Sequence, residues 1–118
     1  MKYLTVLLCA LFLMSCNKDR DDPQIRFITP AQNSEVEAGV QFTMQAEVTD
    51  NEAISSIVVG GDVQDLEITG ITDVLKHNFL VNITPSADTP SGAELTITVT
   101  AKDVAGNSES EDLVVIVK

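Results

Sequence analysis

Residues 41–49 read QFTMQAEVT, with Phe42, Met44, Ala46 and Val48 at alternate positions and only polar residues between them. Residues 94–102 repeat the pattern as ELTITVTAK, where Leu95, Ile97, Val99 and Ala101 share one parity and Thr96, Thr98 and Thr100 the other. Side chains of a strand alternate between two faces, whereas those of a helix return to one face every 3.6 residues. Strict alternation over such a length buries its apolar set only as a strand with one dry face and one wet face, the habit of antiparallel sheets. The fold expected from this feature is all-β.

Weaker signals fill in the rest. Residues 24–28 are β-rich and stop at Pro30, whose missing N–H suits an edge or a turn. Residues 54–59 follow a polar turn, Asp50-Asn51-Glu52, and end at Gly60-Gly61-Asp62, a hairpin signal, with residues 63–68 as a short return strand. Residues 74–84 place Leu75, His77, Phe79, Val81 and Ile83 on one parity, and residues 85–92 form a loop by composition. Residues 112–117 form a last strand with apolar residues on both parities, so part of its outer face is expected to be covered. Beyond residue 15 no window has a helical period, and the chain has no internal repeat. About seven short strands between Pro, Gly, Asn and Asp turns predict an antiparallel β-sandwich.

The first fifteen residues are of another kind. Lys2 precedes an apolar run of eleven residues, Leu4 to Met14. A spanning helix needs about 20 apolar residues, so the run fits the apolar region of a secretory signal peptide. It ends in Leu13-Met14-Ser15-Cys16, which resembles a bacterial lipobox. That resemblance implies cleavage before Cys16, a small residue at Ser15, and a diacylglycerol on the Cys16 thiol. The expected organisation is a signal peptide over residues 1–15, an acylated Cys16 and charged tether over 16–22, and the sandwich over 23–118. Cys9 falls in the removed segment, so the mature domain has no cysteine pair and rests on its packing alone. Each buried lipid methylene contributes about 0.8 kcal/mol, so several acyl chains together hold the protein to a membrane.

The tether reads Asn17-Lys18-Asp19-Arg20-Asp21-Asp22. One reading is a solvated spacer. The other is a resemblance to the export signal of Bacteroidota-type lipoproteins, a Lys followed by acidic residues directly after the acylated Cys. Lys18, Asp19, Asp21 and Asp22 match that signal and Arg20 interrupts it. The match implies the outer membrane, lipid-anchored, at the cell surface.

Charge narrows the partners. With 18 acidic and 7 basic residues the formal net charge is −11. Nucleic-acid binding requires clustered Lys and Arg, and anionic lipid requires a basic face, so neither is expected apart from the lipid on Cys16. A protein or glycan partner is left open, with nothing in the sequence to specify it. Catalysis is not expected either. The chain has one histidine, and no nucleophile stands beside a base and an orienting third group.

The ordered motifs of the mature chain resemble bacterial immunoglobulin-like, fibronectin-III-like domains of surface proteins. They are Ile25-Arg26-Phe27-Ile28-Thr29-Pro30 with Asn33 and Val36, then Ala46 to Ile54, then Val99 to Asn107. His77-Asn78-Phe79 followed by Ala87-Asp88-Thr89-Pro90-Ser91-Gly92 is similar to a set of small Ig-like lipoproteins. Many of those carry a His-rich loop that this sequence lacks, so no metal role tied to it is carried over. The resemblance implies strands A, B and E in one sheet and C, F and G in the other, with Phe27, Phe42 and Phe79 in the packing. The buried Trp, tyrosine corner and inter-sheet disulfide of antibody domains are absent.

The same topology sets the B–C and F–G loops side by side, bringing Asp50, Asn51 and Glu52 near Asp103 and Asn107. Two readings stand. Oxygen donors of this kind suit Ca²⁺, which takes six to eight of them. Alternatively, Asp and Asn side chains close their own turns and Gly106 supplies a left-handed position. His77, on the inward parity, is expected at the margin of the core.

Overall fold

The computed structural model describes residues 22–71 and 74–118. The expected signal peptide, Cys16 and the tether residues Lys18, Asp19 and Asp21 lie outside the described residues. Seven strands are present: β1 (Gln24–Thr29), β2 (Ser34–Val36), β3 (Phe42–Gly61), β4 (Leu66–Glu67), β5 (Val74–Ile83), β6 (Glu94–Asp103) and β7 (Ser108–Val117). No helix occurs among the described residues.

The strands form two layers joined through β3. Its first half pairs with β1 on one side and β5 on the other, both antiparallel. Its second half pairs with β6 and with the short β4, and β6 continues to β7. β2 then adds to β7 in parallel, Ser34 opposite Val115 and Val36 opposite Val117. The sandwich expected from period-two patterning is the observed fold, with β1, β3 and β5 as A, B and E, and β3, β6 and β7 as C, F and G.

The core is almost wholly aliphatic. Met44, Ala46 and Val48 of β3 face Ile97, Val99 and Ala101 of β6 and Leu113, Val115 and Val117 of β7, all of them fully buried. Ile54, Ile57 and Val59 complete the second half of β3. Each side chain of that size contributes about 1.5–3 kcal/mol on burial, and no cysteine lies among the described residues to add a cross-link.

Several expectations are corrected. The polar turn at Asp50-Asn51-Glu52 does not interrupt the strand: β3 runs through it, and its register shifts between Thr49 and Ile54 and again between Ile54 and Ser56. Such bulges bend a strand and let it pass from one layer to the next. They also reverse the parity, so that even-numbered residues point inward before the crossing and Ile57 and Val59 after it. The return strand expected over residues 63–68 is reduced to Leu66 and Glu67. After Gly61, whose positive φ and close approach to the Thr96 carbonyl exclude a side chain, Asp62 is tied to Thr96 by bonds of 2.8 and 2.9 Å.

Leu75 has the inward parity but is 55% exposed, because it lies where β5 overhangs the end of the sandwich beside the β3 bulge. Phe79 is buried, whereas Phe27 and Phe42 are half-buried against the margin of the core. The last strand starts at Ser108, four residues earlier than expected, because polar Ser108 to Glu111 still pair with β6. Its outer face is covered as expected: Val114 and Ile116 are half-buried. There the Gln32 side chain bonds Val114 N–H at 2.9 Å and the Asp112 carbonyl at 2.8 Å.

Candidate functional site at the acidic end of the sandwich

Where β3 crosses between layers, it meets the turn joining β6 and β7. The backbone N–H of Val104 donates to the Ala53 carbonyl at 2.9 Å, which holds the two loops side by side. Asp103 follows Leu95, Ile97, Val99 and Ala101 as the next inward position of β6, and it is only 3% exposed. Its carboxylate accepts from the Asn107 backbone N–H at 2.8 Å and from the Asn107 side-chain amide at 3.1 Å. Gly106 sits between them at φ +95°, the left-handed position of the turn.

Asp50 closes the other loop. Its Oδ1 accepts from Asn51 N–H at 2.7 Å and Glu52 N–H at 3.3 Å, the short-range pattern that Asp side chains favour in turns. Its Oδ2 is buried with no N–H or hydroxyl donor, and the neighbouring polar side chain is the Asp103 carboxyl. Burial and then the Asp103 carboxyl push the Asp50 carboxyl above the usual Asp value, against the opposing pull of the two N–H groups. Burial also acts to raise Asp103, but the bonds from Asn107 and from Asp50 outweigh it and hold Asp103 below the usual value. The two carboxyl groups thus act on one another in opposite directions, Asp50 being raised and Asp103 lowered.

The residues expected here are thus brought together unequally. Asp50 and Asp103 meet through their carboxyl groups, and Asn107 bonds Asp103, whereas Asn51 and Glu52 join through their backbone N–H groups. Among the described residues no three His, Cys, Asp or Glu side chains gather in a way that would hold a metal ion. Asp50 Oδ1 is engaged by the Asn51 and Glu52 N–H groups, and both Asp103 carboxylate oxygens are engaged by Asn107. A cleft of about 540 Å³ opens beside this end, lined by Asp22, Pro23, Thr49, Asp50, Asn51 and Glu109. His77 is half-buried and stacks on Phe79 with ring centroids 6.2 Å apart.

A second polar cluster has no counterpart in the sequence reading. On the outer face of the first layer, Glu47 of β3 accepts from Arg26 of β1 at 3.3 Å and from Asn78 of β5 at 3.2 Å, with Lys76 at 3.6 Å. Burial works to raise the Glu47 carboxyl, but the bonds from Arg26 and Asn78 and the charge of Lys76 outweigh it and hold it low. Only the cross-strand register reveals these pairs; the outward parity of each residue was the available signal.

No protein-family model matches the chain, and no curated protein matches it. Among solved structures, it is similar to a fibronectin(III)-like module structure of Clostridium thermocellum CbhA, at 16% identity and a TM-score of 0.59, covering 80% of this chain and 96% of that one. It also aligns with the twitchin kinase region from C. elegans at 20% identity and a TM-score of 0.48, over 80% of this chain and 16% of that one. The likeness to the CbhA modules shows the fold: the described residues form a fibronectin-III-like, immunoglobulin-like β-sandwich.

Proposed function

We propose that this chain is a lipid-anchored module of the bacterial cell envelope, carried on the outer face of the outer membrane, where its sandwich binds a partner or spaces one from the membrane. The observation that carries the reading is the position of Cys16. It ends an apolar run behind a basic residue, and seven residues later Pro23 is already buried in the sandwich. Lys18, Asp19, Asp21 and Asp22 lie between, in the order of a surface-export signal. The role is non-catalytic. Support comes from the polar groups at the acidic end, which bond one another, and from His77, which stacks on Phe79.

Radiolabelled palmitate and protease treatment of intact cells test this reading. Wild type incorporates label and loses its domain to added protease without lysis, whereas Cys16→Ala stays unlabelled and uncut. Normal labelling of Cys16→Ala would overturn the anchor. Protection of the wild-type domain until the outer membrane is breached would place it on the inner side, as an accessory of a periplasmic complex.

A further inference from the structure

The two layers are not guarded equally at their edges. Natural sheets protect edges by shortness, bulges, Pro or Lys. Here β2 has three residues and β4 has two, and β1 shifts register between Phe27 and Thr29 just before Pro30. β5 is different. It pairs with β3 on one side only among the described residues, runs for ten residues without Pro or Gly, and carries a single Lys, Lys76, near its start. Over residues 77–83 no such device is present, and Leu80 stands 65% exposed on this stretch.

A groove of about 640 Å³ lies between the end of β5 and the segment that carries the short β4. Its apolar lining includes Val63, Leu66, Leu95 and, on the β5 side, Val81 and Ile83, and Leu66 is 46% exposed. Asp62 and Asp65 also line it, with no Lys, Arg or His among the lining residues. The groove thus combines a strand edge with free backbone groups, an apolar trough and a negative rim.

We propose that β5 is a strand-addition edge for an extended peptide segment of a partner protein. The segment pairs with β5, sets alternate apolar side chains into the groove over Leu66 and Val63, and places a Lys or Arg against Asp65 and Asp62. Main-chain bonds give such a contact its affinity, and the alternate pockets its selectivity. The negative rim selects a basic segment. A second copy of this chain suits the edge less, since each copy has a net charge of −11. The inference rests on the binding reading above and names its partner class.

The test uses the full chain in detergent and three labelled ten-residue peptides. One alternates Val with Thr and Lys, the second has Glu for Lys, and the third has Pro at alternate positions. Fluorescence anisotropy measures affinity, and amide hydrogen exchange locates the contact. The Lys peptide is expected to saturate and to protect amides of β5, the Glu peptide to bind about threefold more weakly per charge exchanged, and the Pro peptide not to bind. Asp65→Lys, at an exposed position, should narrow the difference between the first two with the thermal midpoint unchanged. The proposal is overturned by absence of saturable binding, by protection outside β5, by an unchanged affinity ratio in Asp65→Lys, or by peptide-free dimerisation that protects the same edge. Palmitate labelling and surface protease sensitivity are independent of this outcome, so either result can fail without the other.

Discussion

The middle of the sandwich and its acidic end are built from opposite materials. In the middle, Met44, Val48, Ile57, Ile97, Val99, Leu113 and Val115 exclude water completely and make no demand on protonation. At the end, Asp103 is nearly as buried, and its carboxylate is held there by the backbone and side-chain N–H groups of Asn107. The contrast teaches that burial alone does not tell a stabilising position from a conditional one. An aliphatic side chain stabilises at every pH, and a buried carboxyl only while its partners hold their charge and their geometry.

The largest effect is expected in the middle. Ile57→Ala should cost about 2–5 kcal/mol, as large-to-small core changes do. Phe42→Ala should cost less, because Phe42 is only half-buried. Urea unfolding of both variants measures the difference, and equal losses would erase the distinction between centre and margin. Next comes Asp103→Ala, which removes the acceptor for two bonds from Asn107 and the partner of Asp50. Stability should fall by the same amount with calcium or with chelator present. A loss seen only with calcium would restore a metal role to this end.

Smaller effects follow the protons. The Asp50 carboxyl is raised in the fold, so its contribution is full below the ordinary Asp value of about 3.9 and is lost as pH rises through the raised value. Asp103 and Glu47 are lowered, so theirs are present above the ordinary carboxylate values and lost as pH falls through the lowered ones. Asp50→Asn keeps an acceptor for the Asn51 and Glu52 N–H groups and supplies a permanent donor toward Asp103. Its thermal midpoint should therefore lack the decline that wild type shows as pH rises through the raised Asp50 value. Parallel curves would show that the Asp50 carboxyl carries no such pH dependence. The smallest change is expected from Arg26→Ala, since the Arg26 side chain is 69% exposed, and it should vanish in about 1 M salt, where the Debye length is about 3 Å.

Parity is a local property, and what parity governs was legible in the sequence. The alternation of β3 and β6 named Met44, Ala46, Val48, Ile97, Val99 and Ala101 as core, and all six are fully buried. The burial of Asp103, two residues past Ala101, was not read there, because the expected strand stopped at Lys102 and the residue type pointed to a turn. Non-local features were hidden. Nothing in residues 34–36 shows that they lie parallel to β7, nor does Glu47 show that Arg26, Lys76 and Asn78 converge on it. The crossing of β3 was read as a turn because Asp50, Asn51 and Glu52 are turn residues. They do bond as a turn, inside a strand that bends without stopping. The meeting of Asp50 with Asp103 followed from the resemblance to fibronectin-III-like domains, since adjacency of two loops is a fact of topology.

Amide hydrogen exchange resolved by residue compares the two regions most directly. Amides of Val48, Val99 and Leu113 should exchange only through global unfolding, with the same opening free energy as unfolding in urea. Amides of Asn51, Glu52 and Asn107 should open at lower free energy, and that local opening should become easier as pH rises through the raised Asp50 value. A single opening free energy shared by both sets at every pH would contradict the account.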